Sequence, residues 1–240
     1  MNAYFLSDIH IKSADEPSAQ TLLKFLRSID KKTTHLFLLG DIFDVWVGPH
    51  QYYVNKFSDL VSEFKRIASE GVELHYFEGN HDFFLKGFWD KEVGAKVHPG
   101  PINFNLSNLK LRIEHGDQTN LGDKSYQRLR WFLRSPVLSF LIHNVNDRFV
   151  GWVGETWSPL SRKQRKPYVN EEVREITRNY AKEFASEHDC DIMIIGHTHM
   201  RDDQSYNVKG KTFRFINLGT WLSEPIAFQI TEQKAEFIKI

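Results

Sequence analysis

The chain has 240 residues, with 31 Lys and Arg against 31 Asp and Glu, so its formal net charge is zero. That length suits one domain, or one domain with an elaborated insert, and is enough to bury a large core without disulfide or metal staples. Hydrophobic content of 41% with 26% charged residues excludes a disordered chain. The single cysteine, Cys190, excludes an intrachain disulfide and fits a reducing compartment. No apolar run approaches the ~18 residues that a membrane span needs.

The opening MNAYFLSDIH lacks the basic start of a secretory leader and reaches Asp8 at once, so no signal peptide is expected. Residues 4–6 predict a short strand ending in Ser7-Asp8. Leu22, Leu23, Leu26 and Ile29 then share one face of a predicted helix. Residues 35–39 predict a buried strand stopped by Gly40-Asp41. Residues 54–70 predict one helix, with Phe57, Leu60, Val61, Phe64 and Ile67 at helical spacing and Gly71 ending it. Residues 72–77 predict the next strand, stopped by Glu78-Gly79-Asn80. Strands alternating with helices imply right-handed crossovers and a parallel sheet buried on both faces.

Residues 102–106 and 109–114 then predict a hairpin joined through Ser107-Asn108. In the insert that follows, Pro136 disfavours helix at Ser135 and should divide the segment into two helices. Residues 170–188 predict a long helix with Val173, Ile176, Tyr180 and Phe184 on its core face. Residues 192–195 predict a strand ending in Gly196-His197. Residues 213–217, 226–230 and 235–240 read as closing antiparallel strands. The expected fold is an α/β sandwich, two packed sheets flanked by helices, with a helical insert on top.

Metal-capable side chains recur at one kind of place, just past the end of an apolar strand. They are Asp8 and His10, Asp41, Asn80 with His81 and Asp82, His115 with Asp117, and His197 with His199. Strand C-termini are where parallel α/β sheets bind ligands. Singly, each cluster has an ordinary explanation as a turn, a polar loop or a helix cap. Five of them at equivalent positions, most beside Gly, point to a metal centre. Carboxylate, amide and imidazole donors without thiolate suit Mn²⁺, Fe²⁺ or Zn²⁺. Asp41 has two oxygens and can bridge two ions, which at about 3.5–4 Å apart would clamp a phosphoryl group.

The motifs Asp8-x-His10, Gly40-Asp41-x-x-Asp44, Gly79-Asn80-His81-Asp82, His115-Gly116-Asp117 and Gly196-His197-Thr198-His199 occur in order within residues 4–220. Together they resemble the signature of calcineurin-like metallophosphoesterases. The resemblance implies two divalent ions, Mn²⁺ foremost: one held by Asp8, His10, Asp41 and His199, the other by Asp41, Asn80, His115 and His197. It makes His81 a catalytic non-ligand, oriented by a catalytic Asp82. Residues 7–10, 38–48 and 79–83, with Asp123-x-x-Tyr126 ahead of a helical insert, are similar to the UDP-2,3-diacylglucosamine diphosphatase family. That narrower likeness implies cleavage of a nucleotide-linked glycolipid to UMP and 2,3-diacylglucosamine 1-phosphate in lipid A synthesis. The enzyme would then be cytoplasmic and peripherally bound to the inner membrane, with no nucleic-acid partner. His81 stands where the best-known branch has Arg; an imidazole can donate or accept a proton near neutral pH, whereas a guanidinium is a permanent charge.

The insert carries its own signal. Residues 124–166 hold nine Lys and Arg against Asp147 and Glu155, a local charge of +7, and three of the six Trp. Its apolar side chains outnumber what one helix face can hide. They fit either two core helices on the sheet or a lid with an apolar inner wall and a basic rim for phosphate or an anionic membrane surface. In the lid reading Trp131, Phe132, Leu138 and Phe140 meet acyl chains. Asp123, Tyr126, Arg128 and Asn80 meet the phosphate or glucosamine. Two rival functions stay open: a metallophosphodiesterase or phosphatase acting on another nucleotide or phosphoester, and a non-catalytic metal-binding scaffold that docks a protein.

Overall fold

Strands in the first half of the chain are apolar on both faces, so each face needs its own partner layer. In the computed structural model, which describes residues 1–147, 149–151 and 170–240, β1 (Asn2–Leu6), β2 (His35–Leu38) and β4 (Glu73–Phe77) run parallel. β6 (Lys96–His98) extends them on one side, and β12 (Ile226–Thr231) with β13 (Ala235–Lys239) on the other, in the order β13-β12-β1-β2-β4-β6. A second sheet has the order β10-β11-β9-β8-β7, formed by β7 (Ile102–Leu106), β8 (Leu109–Ile113), β9 (Ile192–Ile195), β10 (Asp202–Val208) and β11 (Lys211–Asn217). β3 (Trp46–Val47) and β5 (Asp82–Phe83) make a two-stranded parallel pair.

The period-2 alternation of each strand sorts its side chains into layers. Leu36, Leu38, Leu74 and Tyr76 pack against α1 (Pro17–Ser28) and α3 (Ser58–Ser69), whereas Phe5, Phe37 and Phe77 face Ile113, Ile192, Ile194 and Ile216 of the second sheet. Met193, Ile195, Phe213 and Phe215 turn the other way, onto α6 (Glu171–Glu187). The result is helix, sheet, sheet, helix, and each fully buried Leu or Phe contributes about 1.5–3 kcal/mol. The insert begins with α4 (Lys124–Leu133) and α5 (Pro136–Asn144), divided as expected, with Ser135 extended and its side chain accepting from Leu138 N at 3.2 Å. Neither helix has a buried residue, so they are not core helices. Arg148 and residues 152–166 of the basic segment, with Trp152, Trp157, Arg162, Lys163, Arg165 and Lys166, lie outside the described residues.

Three expectations need correction. The single helix at 54–70 is two, α2 (Gln51–Lys56) and α3, interrupted at Phe57 (φ −119°, ψ 31°). The break leaves the Phe57 ring buried 4.6 Å from Phe43, so the apolar periodicity survives and hides it. The strand at 213–217 does not close the chain as an antiparallel member: β11 runs parallel to β9 and antiparallel only to β10. β10 has no counterpart in the sequence reading, because this edge strand alternates polar with partly buried residues and contains no apolar run.

His75 of β4 shows what burial does to a titratable group. It is 1% exposed, stacks on Phe37 and His98 at 4.6 and 5.2 Å, and its Nδ1 lies 2.9 Å from His98 Nε2. Burial, then the charges of His98 and Lys96, hold its pKa down to about 3. Folding thus keeps it neutral. Because the folded value is depressed, the associated stability is complete above the ordinary value of about 6.5 and drains as pH falls towards 3. His75→Phe should therefore flatten the acid limb of the stability curve by about 1.4 kcal/mol per pH unit between pH 6 and 4. Urea unfolding at pH 7, 5.5 and 4 reads this directly; an unchanged slope would show that His75 does not titrate on unfolding.

Candidate active site

Parallel strands deliver their C-terminal loops to one edge, and here both sheets do so side by side. Asp8 and His10 follow β1, Asp41 follows β2, Asn80 follows β4, His115 follows β8 and His197 follows β9. The loops are tightly turned. Asp8, His10, Asp41, His197 and His199 have φ between 52° and 68°, five of the eight non-glycine residues with positive φ among those described. This left-handed region costs non-glycine residues about 1–3 kcal/mol each, and such strain collects where function demands it. Glycines make the close approaches. A Cβ on Gly196 would sit 2.0 Å from Ser7 Oγ and 2.5 Å from Asp8 Oδ2, and one on Gly79 would sit 2.2 Å from Asp41 Oδ1.

The structure brings all seven expected metal-binding side chains, Asn80 among them, together in two groups. In the first, His10 Nε2 and His199 Nε2 are 3.0 Å apart, and Asp8 Oδ1 lies 3.9 and 3.3 Å from them. In the second, Asn80 Oδ1 is 3.2 Å from His115 Nε2 and 3.0 Å from His197 Nδ1. Asp41 stands between the groups with one oxygen for each: Oδ2 is 3.8 Å from His10 Nε2 and Oδ1 is 3.8 Å from His115 Nε2. Second contacts aim these donors. Leu39 O accepts from His115 Nδ1 at 2.7 Å, which leaves Nε2 to carry the inward lone pair. Asp8 Oδ2 accepts from Ser7 Oγ and from His197 N, leaving Oδ1 buried without a hydrogen bond of good geometry.

The electrostatics match a cation site. Burial raises the Asp41 carboxyl, but the surrounding His81, His115, His10 and His197 outweigh it and hold the pKa far below the ordinary range. Burial lowers His115, yet Asp41 and Asp8 raise it to about 9, so the surrounding carboxylates favour positive charge at this position. His197 is pulled down to about 4 by burial and by His115. An orphaned carboxylate oxygen, converging imidazoles and an amide oxygen suit divalent metals with mixed N/O ligation.

Asp82 departs from expectation. It does not orient His81: its Oδ1 accepts from Asp41 N and Gly79 N at 2.8 and 2.9 Å, and its Oδ2 from Ile42 N and Tyr76 OH at 2.8 and 2.6 Å. Asp82 opens β5, where neighbouring side chains point to opposite faces, so it faces inward, away from His81. Fully buried, it cannot touch substrate; it ties the Asp41 and Gly79 loops together. Burial and the Asp41 charge push its pKa up to about 7. His81 is held instead by Asp44 O, which accepts from Nδ1 at 2.9 Å, and its ring meets that of His10 edge-on at 5.1 Å.

Of the expected insert contacts, Tyr126 reaches the site. Its hydroxyl is 3.3 Å from Asp117 Oδ2 and its ring 5.7 Å from that of His197. Asp123 is spent on the N-cap of α4, accepting from Tyr126 N at 2.9 Å. Arg128 lines an open groove with Trp131 and Lys124. Trp131, Phe132 and Phe140 lie on the surface, Trp131 75% exposed, and Leu138 is half-buried. Sequence reasoning missed Arg130 and Arg134, which with Tyr126 line a small cleft beside Asn80. Their signal was the i, i+4, i+8 spacing of Tyr126, Arg130 and Arg134 after the Asp123 cap, which puts all three on one helix face.

Two sheets whose strand ends converge on two groups of candidate metal ligands, with one carboxylate turned to both, match a metal-dependent phosphoester hydrolase of the calcineurin type. The chain belongs to the calcineurin-like phosphoesterase family, whose profile matches residues 1–201. It is similar to UDP-2,3-diacylglucosamine hydrolase of Psychromonas ingrahamii, at 26% identity over 99% of this chain and 97% of the relative. The protein of that name from Porphyromonas gingivalis is 29% identical over 91% and 93% of the two chains. A solved archaeal phosphodiesterase aligns along the whole chain at 16% identity with a TM-score of 0.49. Family membership implies divalent metal ions. Among the described residues, no helix is long and apolar enough to cross a membrane.

Proposed function

We propose that the protein hydrolyses the pyrophosphate bond of UDP-2,3-diacylglucosamine, yielding UMP and 2,3-diacylglucosamine 1-phosphate. The observation that carries the chemistry is Asp41, with one oxygen turned to each ligand group. The substrate reading draws on the names of the full-length relatives and on the basic, apolar-faced insert beside the site.

Asp8, His10, Asp41 and His199 would hold one divalent ion, and Asp41, Asn80, His115 and His197 the other, with Mn²⁺ the favoured metal. When bound, such a pair neutralises phosphoryl charge and acidifies water. The chain's own side chains do the rest. Asn80 and Tyr126 orient the phosphate at the cleft. His81, fixed through Nδ1 by the Asp44 carbonyl, supplies from Nε2 a proton to the leaving phosphate oxygen as its bond to phosphorus breaks, or a hydrogen bond to the phosphoryl oxygen in the transition state. Residues 124–166 act as the lid: Arg128 serves the sugar phosphate, and Trp131, Phe132, Leu138 and Phe140 the acyl chains, while Asp123 caps α4. Such contacts set substrate choice. The same exposed aromatics and the +7 segment suit peripheral attachment to the cytoplasmic face of an anionic inner membrane.

The test is product analysis with Mn²⁺-loaded protein and UDP-2,3-diacylglucosamine in mixed detergent micelles. UMP and the acylated sugar phosphate should appear in equal amounts. Cleavage of a small aryl phosphodiester without release of UMP from the glycolipid would move the activity to another phosphodiester.

A further inference from the structure

Arg130 and Arg134 stand one turn apart on α4, and each grips a loop from a different sheet. Arg130 Nε donates to Asp117 Oδ2 at 2.6 Å, on the loop that follows β8. Arg134, the C-cap of α4, reaches the loop that follows β4. Its Nη1 donates to Glu78 Oε2 at 2.8 Å and to Pro99 O at 3.3 Å; its Nη2 donates to the carbonyls of Glu78 and Gly79 at 3.2 and 3.1 Å. Glu78 is itself buried, and its other oxygen accepts from Leu85 N at 3.0 Å. Gly79 is bonded directly to Asn80, and Asp117 lies two residues beyond His115. The two gripped loops therefore carry the pair, Asn80 Oδ1 and His115 Nε2, that meets at 3.2 Å across the junction of the sheets.

We propose that Arg134, with Arg130 as its counterpart, is a positioning residue: the rigid spacing of the two guanidinium groups along α4 sets the separation of Asn80 and His115. The insert then does more than cover the site. Its seating tunes the geometry of one ligand group, so substrate contacts on the insert and ligand geometry below it are mechanically linked. A planar fork with fixed donors can hold four acceptors on three residues at once, which a lysine cannot. Groups that aim metal ligands from outside typically matter 10–100-fold in affinity or rate.

This inference rests on the ligand assignment of Asn80 and His115, but not on the glycolipid as substrate. Mn²⁺ binding isotherms, the Mn²⁺ electron paramagnetic resonance spectrum and turnover of a small aryl phosphodiester are measured for wild type, Arg134→Lys and Arg134→Met. Where loss of the guanidinium leaves Glu78 unpaired and the chain unfolds, Arg134→Met/Glu78→Gln removes both charges and serves in its place. The expected result is ~10–100-fold weaker binding of one of the two Mn²⁺ ions and an altered spectrum. Turnover on the small ester should fall in kcat rather than rise in KM, Arg134→Lys should lie between, and the metal-free unfolding temperature of the folded variant should stay near wild type. A wild-type isotherm in a folded variant overturns the proposal, as does a loss of binding that only follows the unfolding temperature. If wild type cleaves neither ester nor glycolipid, the isotherm and spectrum still decide this point, and it is the functional proposal that falls.

Discussion

Asp41→Ala should abolish binding of both divalent ions and lower phosphoester hydrolysis by at least ~10³-fold, equivalent to the loss of roughly 4 kcal/mol of transition-state stabilisation. The reason is geometric. Every other candidate ligand belongs to one group, whereas Asp41 turns Oδ2 towards His10 and Oδ1 towards His115. Substitution leaves four histidines facing one another without the carboxylate that holds them. In wild type, Mn²⁺ should raise the unfolding temperature, because a ligand that binds only the folded state stabilises it; in Asp41→Ala the rise should vanish. His10→Ala, which removes a ligand from one group, should weaken mainly one ion. Metal analysis that finds an ion retained by Asp41→Ala would refute the shared-carboxylate arrangement.

Gly79→Ala should be nearly as damaging, although it adds a single methyl and touches no charge. The new carbon would lie 2.2 Å from Asp41 Oδ1, 2.6 Å from Asp41 N and 2.7 Å from Asp82 Oδ1. None of these atoms sits at the end of a flexible chain. Asp41 N and Gly79 N both donate to the Asp82 carboxylate, so the loops cannot part without breaking buried hydrogen bonds. A buried acceptor left unpaired costs about 1–3 kcal/mol, and the shift would carry Asn80 away from His115. The expected outcome is a lower unfolding temperature in the absence of metal together with at least ~10-fold weaker Mn²⁺ binding. Gly87→Ala is the control: Gly87 has positive φ, at 100°, and a Cβ there meets nothing within 4 Å, so it should cost stability through backbone strain alone, without affecting metal. Equal metal affinity in Gly79→Ala and wild type would show that the loops have slack.

Much of this was legible in the amino-acid order, for local reasons. Apolar runs at 35–39, 72–77 and 192–195 end in Gly-Asp, Gly-Asn and Gly-His pairs, so the chain itself announces that polar ligands leave the strand ends. Pro136 after Ser135 announces the helix break, because ring sterics act between adjacent residues. What depended on distant partners was not legible. Asp82 adjoins His81 in sequence but is bound to Asp41, Ile42, Gly79 and Tyr76; adjacency suggested a partnership that strand pleating reverses. The division at Phe57 went unseen because a buried ring satisfies the same periodicity on either side of a break. β10 went unseen because an edge strand needs only one partner and few apolar residues.

The sequence by itself determined which residue types could bind metal, that they lie at strand ends, and that a basic, aromatic segment interrupts the sandwich. These follow from periodicity, turn chemistry and composition, which act over a few residues. Only the tertiary structure decided that Asp41 divides its two oxygens between the ligand groups, that Asp82 braces loops instead of His81, and that Arg130 and Arg134 grip one loop from each sheet. Those outcomes depend on the stacking of two separately built sheets, which brings residues 8, 41, 80, 115 and 197 within a few ångströms; no local rule specifies that distance.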